Sequence, residues 1–189
     1  MKAWSFVAPL EPLHWVALPD PVPRAGEVVV DVKAAGICRF DLDVIDGGPT
    51  FGVVSAPLPV VLGHEIAGVI SAVGPGVDDH AVGDRVAMFA LDADDCAGFS
   101  RDGGLAEKAA GPATRLVRIP DGVSFAQAAL ATDAGMTAHR AVRTVGEVGP
   151  GSRVGIIGLG GLGALGARIA VLLGAQVHGA EVNTAIHAQ

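Results

Sequence analysis

One glycine-rich run and a scattered set of sulfur, imidazole and carboxylate groups carry the chemistry open to this sequence. The run is GLGGLG, residues 158–163, and it satisfies G-x-G-x-x-G through Gly158, Gly160 and Gly163. An apolar strand precedes it, a helix-favouring segment follows, and a second strand ends at Glu181, about twenty positions beyond Gly158. That order fits dinucleotide binding. The glycines let the backbone approach a pyrophosphate seated on the positive N-terminus of the helix, with Gly158, Gly160, Gly161, Leu162 and Gly163 lining the approach. Glu181 then accepts hydrogen bonds from the adenosine ribose and repels a 2′-phosphate, which favours NAD over NADP. The scattered set is Cys38, the pair His64-Glu65, and Asp133. A structural zinc knuckle needs closely spaced Cys/His pairs, and none occur. Widely separated ligands brought together by loops suit a catalytic metal with three protein ligands and an open position. Spacing alone also fits a small buried Cys38, a turn histidine at His64 and a helix-end acceptor at Asp133.

The elements that must position these groups change character along the chain. Up to about residue 120 the pattern is β: Glu27–Ala35, Val60–Leu62, Ile66–Val73, Arg85–Leu91 and Arg115–Ile119 are short apolar or alternating runs between Gly and Pro turns. Such a series predicts an irregular barrel. Pro19, Pro21 and Pro23 mark a lead-in that cannot join a central ladder. Ser124 can cap a helix through FAQAALAT, and Thr137–Val145 is a second helical stretch. Gly149-Pro150-Gly151 is the expected domain boundary. Beyond it lie a strand (Arg153–Ile157), the glycine turn, a helix (Leu162–Leu173) and a strand (Gln176–Ala180). There are no internal repeats.

Composition excludes several classes. The 189 residues carry 13 Lys+Arg against 20 Asp+Glu, a net charge of -7, which leaves nothing to neutralise a phosphate backbone. Half the residues are hydrophobic and 17% charged, so a packed core forms and disorder is excluded. Cys38 and Cys96 cannot build a disulfide framework, and Pro9, Glu11 and Pro12 break any signal-peptide core, so the chain reads as cytoplasmic. The apolar stretch Val154–Val177 is too glycine-rich in its first half for a spanning helix.

Several runs occur in an order that resembles one family. They are GICRFDLDV (36–44), VLGHEIAGVISAVGPGV (61–77), GDRVAMF (83–89), DGGLAEKAA (102–110), VRIPDGVSFAQAAL (117–130) and VGIIGLGGLGALGARIAVLLGAQV (154–177). Together they resemble the zinc-dependent alcohol dehydrogenases of the medium-chain dehydrogenase/reductase (MDR) family. The resemblance implies a GroES-like catalytic domain over residues 1–148 and a partial NAD(P)-binding Rossmann domain over 149–189. It also implies NAD-linked oxidation of a small-molecule alcohol or the reverse reduction. Carried over by position, Cys38, His64 and Asp133 are the catalytic zinc ligands and Glu65 is the acidic residue beside the metal. Asp41 is the partner of His64.

The sequence departs from the family pattern at four places. Phe40 stands where a Ser or Thr hydroxyl usually begins a proton relay, and Asp43 where a His is frequent. The lobe that normally holds four cysteines is shortened to ALDADDCAGFSRDGG with Cys96 alone, so one zinc and no structural zinc is expected. Asp92, Asp94 and Asp95 read as a solvated acidic loop. The sequence stops inside the first turns of a second Rossmann helix that Asn183-Thr184 would cap, so it reads as truncated, and a homo-oligomer is expected of the completed protein. Alternatives are a reductase of the same family lacking the relay, and a catalytically silent metal-binding fragment.

Overall fold

Alternation of polar and apolar residues sets the first elements. β1 (Lys2–Phe6) turns Ala3, Ser5 and Phe6 inward and pairs antiparallel with β2 (His14–Ala17). The valine run of β3 (Glu27–Gly36) buries Val28, Val29 and Val30. A seven-residue helix follows, α1 (Arg39–Ile45), then a 3₁₀ turn over Pro49–Val53. β4 (Val60–Val61) pairs with the other edge of β1. β5 (Glu65–Val73), β6 (Arg85–Met88), β7 (Lys108–Pro112) and β8 (Leu116–Arg118) complete a five-stranded antiparallel sheet in the order β7-β3-β5-β6-β8. The computed structural model describes residues 1–90 and 95–186, so Leu91, Asp92 and Asp94 lie outside the described residues.

The main core lies on one face of this sheet, where Val28, Val30, Ile66, Ile70, Val86 and Met88 pack together. On the other face Ala67 and Ala87 meet α2 (Phe125–Leu130) through Ala128 and Ala129. Small residues there let the helix approach closely. Ser124 caps α2 as expected: its hydroxyl accepts from the Gln127 N–H at 3.2 Å while the Gln127 side chain accepts from the Ser124 N–H at 3.0 Å. A third cluster of Phe6, Val44, Val60 and Leu62 joins α1 to the three-stranded sheet β2-β1-β4.

The chain divides into two compact units, Met1–Asp133 and Ala134–Gln189, a division that falls upstream of Gly149-Pro150-Gly151. In the second unit α3 (Met136–His139) leads into a π-helical stretch, Arg140–Val145. Val142 from that stretch packs beside Gly166 of α4 (Gly161–Leu172), which draws the segment into this unit. β9 (Arg153–Ile157) and β10 (Gln176–Ala180) pair in parallel around α4, with Arg153 opposite Gln176 and Ile157 opposite Ala180. This is a right-sized β-α-β crossover. Ile157 and Val182 stay exposed at its end. No helix of the described residues is long and apolar enough to cross a membrane.

Ile70 is fully buried at the centre of the main core. Ile70→Ala should therefore cost about 2–5 kcal/mol, the range for aliphatic deletions in a core that relaxes only partly. Urea unfolding followed by circular dichroism measures it, and a loss under about 1 kcal/mol would mean that the core collapses around the gap.

Candidate functional site

The pairing of β3 with β5 assembles the candidate metal-binding group. Its register sets Gly36 opposite Glu65, so the chain leaving β3 reaches Cys38 beside the start of β5, where His64 and Glu65 sit. Gly36 is required there, since a Cβ would overlap the Glu65 carboxylate. Cys38 is the N-cap of α1 in extended conformation. Asp41, at N3 of that helix, accepts the Cys38 backbone N–H at 2.9 Å through Oδ2. Its other oxygen, Oδ1, lies 3.2 Å from His64 Nδ1, close enough for a charge contact though off the alignment of a good hydrogen bond. Asp133 arrives from the opposite direction. α2 ends in a π-helical turn, Ala131–Gly135, in which the Thr132 hydroxyl donates to the Ala129 carbonyl at 2.7 Å. That bond competes with regular α pairing, and the wider turn re-aims Asp133. Its Oδ2 stands 3.3 Å from His64 Nε2.

Cys38, His64, Glu65 and Asp133 thus offer four donor atoms within 4.8 Å of one another. Ligands about 2.0–2.1 Å from a tetrahedral zinc stand about 3.4 Å apart, close to the His64–Asp133 separation. Burial is uneven: His64 and Glu65 are buried, Cys38 and Asp133 are half-buried, and Asp41 behind His64 is 1% exposed. Burial by itself disfavours a charged imidazole, but Asp133, Asp41 and the Cys38 sulfur outweigh it and push the His64 pKa up to about 10. Burial raises the Cys38 thiol pKa. A dication suits this donor set, because it gathers thiol and carboxylates around one imidazole and compensates charge held away from water.

The glycine run forms the turn its spacing predicts. Gly158 takes φ +84 at the end of β9, and Gly163 packs so tightly that a Cβ would overlap the Gly158 carbonyl. Around Gly158, Gly160 and Gly161 the space a Cβ would occupy is open. Gly160 caps α4 with no side chain to occupy the first-turn N–H groups, and Leu162 lies in that first turn. Glu181 is drawn onto the turn: its carboxylate accepts the Leu159 N–H at 2.6 Å and the Asn183 N–H at 2.7 Å. The Asn183 side chain in turn accepts the Ala185 N–H at 3.1 Å, starting a short 3₁₀ turn, Thr184–Ile186.

A sequence profile of the alcohol dehydrogenase GroES-like domain matches residues 24–121. The chain belongs to this family. It is 37% identical to an alcohol dehydrogenase of Geobacillus stearothermophilus, over 88% of this chain and 54% of that enzyme. Among solved structures, an NAD-dependent alcohol dehydrogenase superposes with a TM-score of 0.84 at 32% identity, covering 96% of this chain and 58% of its own. A cobalt- and zinc-bound thermostable alcohol dehydrogenase from Pyrobaculum aerophilum gives 0.86 at 29% identity, covering 98% and 60%. The chain therefore spans somewhat more than half the length of the relatives it matches, and it has the MDR alcohol dehydrogenase fold, a GroES-like domain with part of a Rossmann domain.

Within this GroES-like domain Phe40 and Asp43 serve packing and the turn after α1. Phe40 packs into the cluster around Phe6 and Leu62 and stands edge-on to the His64 ring at 6.1 Å. Asp43 accepts the Thr50 N–H at 3.0 Å and the Thr50 hydroxyl, holding the turn after α1. Cys96 is buried and lies outside the donor group, with its thiol pKa pushed up to about 12 chiefly by burial. Sequence reasoning passed over Gly36 and the ring of Phe99, which stacks on His64 with centroids 4.7 Å apart. Small residues flanking each ligand segment were the available signal.

The raised His64 pKa has a signed consequence for the metal-free chain. A folded pKa of about 10 against 6.5 unfolded makes His64 stabilising below pH 6.5, and the contribution is lost as pH rises toward 10. Urea unfolding of chelator-treated wild type and His64→Gln should show the wild-type advantage shrinking across that window. An advantage independent of pH would contradict the assignment.

Proposed function

We propose that this chain is the catalytic and cofactor-gripping part of a zinc-dependent, NAD-linked oxidoreductase that interconverts a small alcohol with its aldehyde or ketone in the cytoplasm. In this reading the catalytic domain ends near residue 148, the dinucleotide-binding domain begins at 149, and the completed protein is a homo-oligomer. What supports it most is the convergence of the Cys38, His64, Glu65 and Asp133 donor atoms within 4.8 Å. Cys38, His64 and Asp133 hold one zinc, and Glu65 stands beside it. Bound there, zinc supplies a Lewis acid for the substrate oxygen, and NAD supplies the hydride acceptor. Asp41 faces Nδ1, which leaves Nε2 for the metal. Thiolate and carboxylate together offset the two positive charges, which leaves the centre less electrophilic than three histidines would. Gly158, Gly160, Gly161, Leu162 and Gly163 receive the pyrophosphate, and Glu181 the ribose hydroxyls.

A second reading rests on Phe40. With no hydroxyl there to begin a proton relay from the metal centre, a reductase that takes its proton from solvent fits the same donor set. Faster carbonyl reduction than alcohol oxidation at neutral pH would favour it.

Metal analysis by plasma mass spectrometry should find one zinc per chain in wild type and in Cys96→Ser. Cys38→Ser, His64→Ala and Asp133→Ala should lose most of it while staying folded by circular dichroism. Full retention in folded Asp133→Ala would remove that residue from the set, and loss in Cys96→Ser would bring Cys96 in.

The nucleotide choice has its own check. Val182, Asn183 and Thr184 bring no cation to offset Glu181. NAD should outcompete NADP, and Glu181→Ala should narrow the difference. A higher kcat/KM with NADP would refute the ribose role.

A further inference from the structure

The shortened lobe is built onto the three residues that precede His64, Val61 to Gly63. Val61 exchanges two bonds with it, its N–H reaching Asp102 Oδ1 at 2.9 Å and its carbonyl accepting the Gly103 N–H at 2.8 Å. The Gly104 N–H bonds the Gly63 carbonyl at 2.7 Å, and the Leu105 N–H the Leu62 carbonyl at 3.0 Å. Gly63, at φ +96, lies backbone to backbone against Gly98 and Gly103, where any Cβ would meet its main-chain atoms. The described residues of the lobe bond among themselves and to β3. The Cys96 N–H donates to the Ser100 hydroxyl at 2.8 Å, and Arg101 spans Glu27 at 2.7 Å and Asp95 at 2.5 Å.

At the tip of this lobe Phe99 is held by its main chain, whose carbonyl accepts both the Ser55 and Ala56 N–H groups at 2.9 Å. Its ring is thereby fixed against two others. It is tilted 34° against the plane of the His64 imidazole with centroids 4.7 Å apart, and its centroid stands 4.9 Å from that of Phe40. Asp41 faces Nδ1 on the ring's edge, which fixes direction but leaves the imidazole free to rock about the Nδ1 contact. Phe99 covers a face, and Phe40 blocks an edge. An imidazole that shares its Nε2 lone pair with a cation becomes electron-poor, and the negative face of a benzene ring favours such a neighbour.

We propose that Phe99 is a positioning residue of the metal centre, and that the shortened lobe serves to carry its ring onto the face of His64 so that Nε2 stays aimed at Asp133 and Cys38. This role rests on the zinc reading above. Removing the ring should loosen the ligand without removing any donor atom. Outer partners that orient a ligating histidine are worth roughly ten- to a hundredfold in metal affinity.

Cobalt(II), whose visible bands report ligand geometry, is the probe. Chelator competition on the metal-free chain should give a single site in wild type. Phe99→Leu should bind roughly tenfold or more weakly and with altered bands. Phe99→Tyr, which keeps the aromatic face, should match wild type in both. A contribution to folding alone would lower thermal stability in Phe99→Leu and leave affinity and bands where they were, and that result overturns the proposal. If Phe99→Leu fails to fold, Phe99→Met, which keeps volume without a ring, is judged by the same two readings. A wild-type chain that takes up neither cobalt nor zinc would bring down the metal centre itself, a failure distinct from metal retained unchanged in the Phe99 variants.

Discussion

The carboxylate of Asp41 is the constraint on which the rest of the site depends. It is buried to 1% exposure, and burying such a charge is costly unless it is bonded. One oxygen meets that demand with the Cys38 N–H and the other faces His64 Nδ1. A single group thus ties the start of α1 to the start of β5. The pairing of Gly36 with Glu65 brings the two segments within reach, and Asp41 then fixes their orientation. The glycines around the site follow from this closeness. Gly36 makes room for the Glu65 carboxylate, and Gly63 for the lobe.

The departures from the family pattern make physical sense as a change in what holds the centre rather than as losses. Phe40 gives the apolar cluster of α1 a ring and the imidazole a wall. Asp43 secures the Thr50 turn that follows the same helix. The lobe, with a lone cysteine, is closed by Ser100 and by the Arg101 fork instead of by sulfur ligands. Phe40 has no group that could carry a proton, and each of these side chains packs or bonds within the first unit.

How much of this was legible in the sequence depended on range. The glycine turn was readable because strand, turn, helix and acidic residue lie within one short segment, so local spacing contains the whole argument. The β-rich first unit and the helix capped by Ser124 were readable for the same reason. Cys38, His64 and Asp133 were not groupable by spacing, since their meeting is decided by strand register and by the end of α2; only the resemblance brought them together. β1, β2 and β7 escaped notice. HWVA is four residues long, and KAAGP is made of residues that strands disfavour, so pairing with β3 and not propensity makes β7 a strand. The π turn at Asp133 had no sequence signature beyond Thr132, whose hydroxyl acts only once the helix exists.

A metal held as proposed would be coupled to the fold through these same contacts. The donors come from the end of β3, the start of β5 and the turn after α2, and the two strands pair at the centre of the main sheet while α2 packs on that sheet's other face. A ligand that binds the folded chain and not the unfolded one stabilises it by mass action. A dication here must also displace protons from His64, held charged by its carboxylate neighbours, and from a thiol that burial keeps protonated. Its binding is therefore opposed by acid and strengthened by base, opposite in sign to the metal-free stabilisation by His64. The ion and the proton compete for one arrangement of side chains. Below its raised pKa the His64 charge is compensated by the groups around it; as pH rises toward 10 that charge is lost, and a metal bound there would take its place.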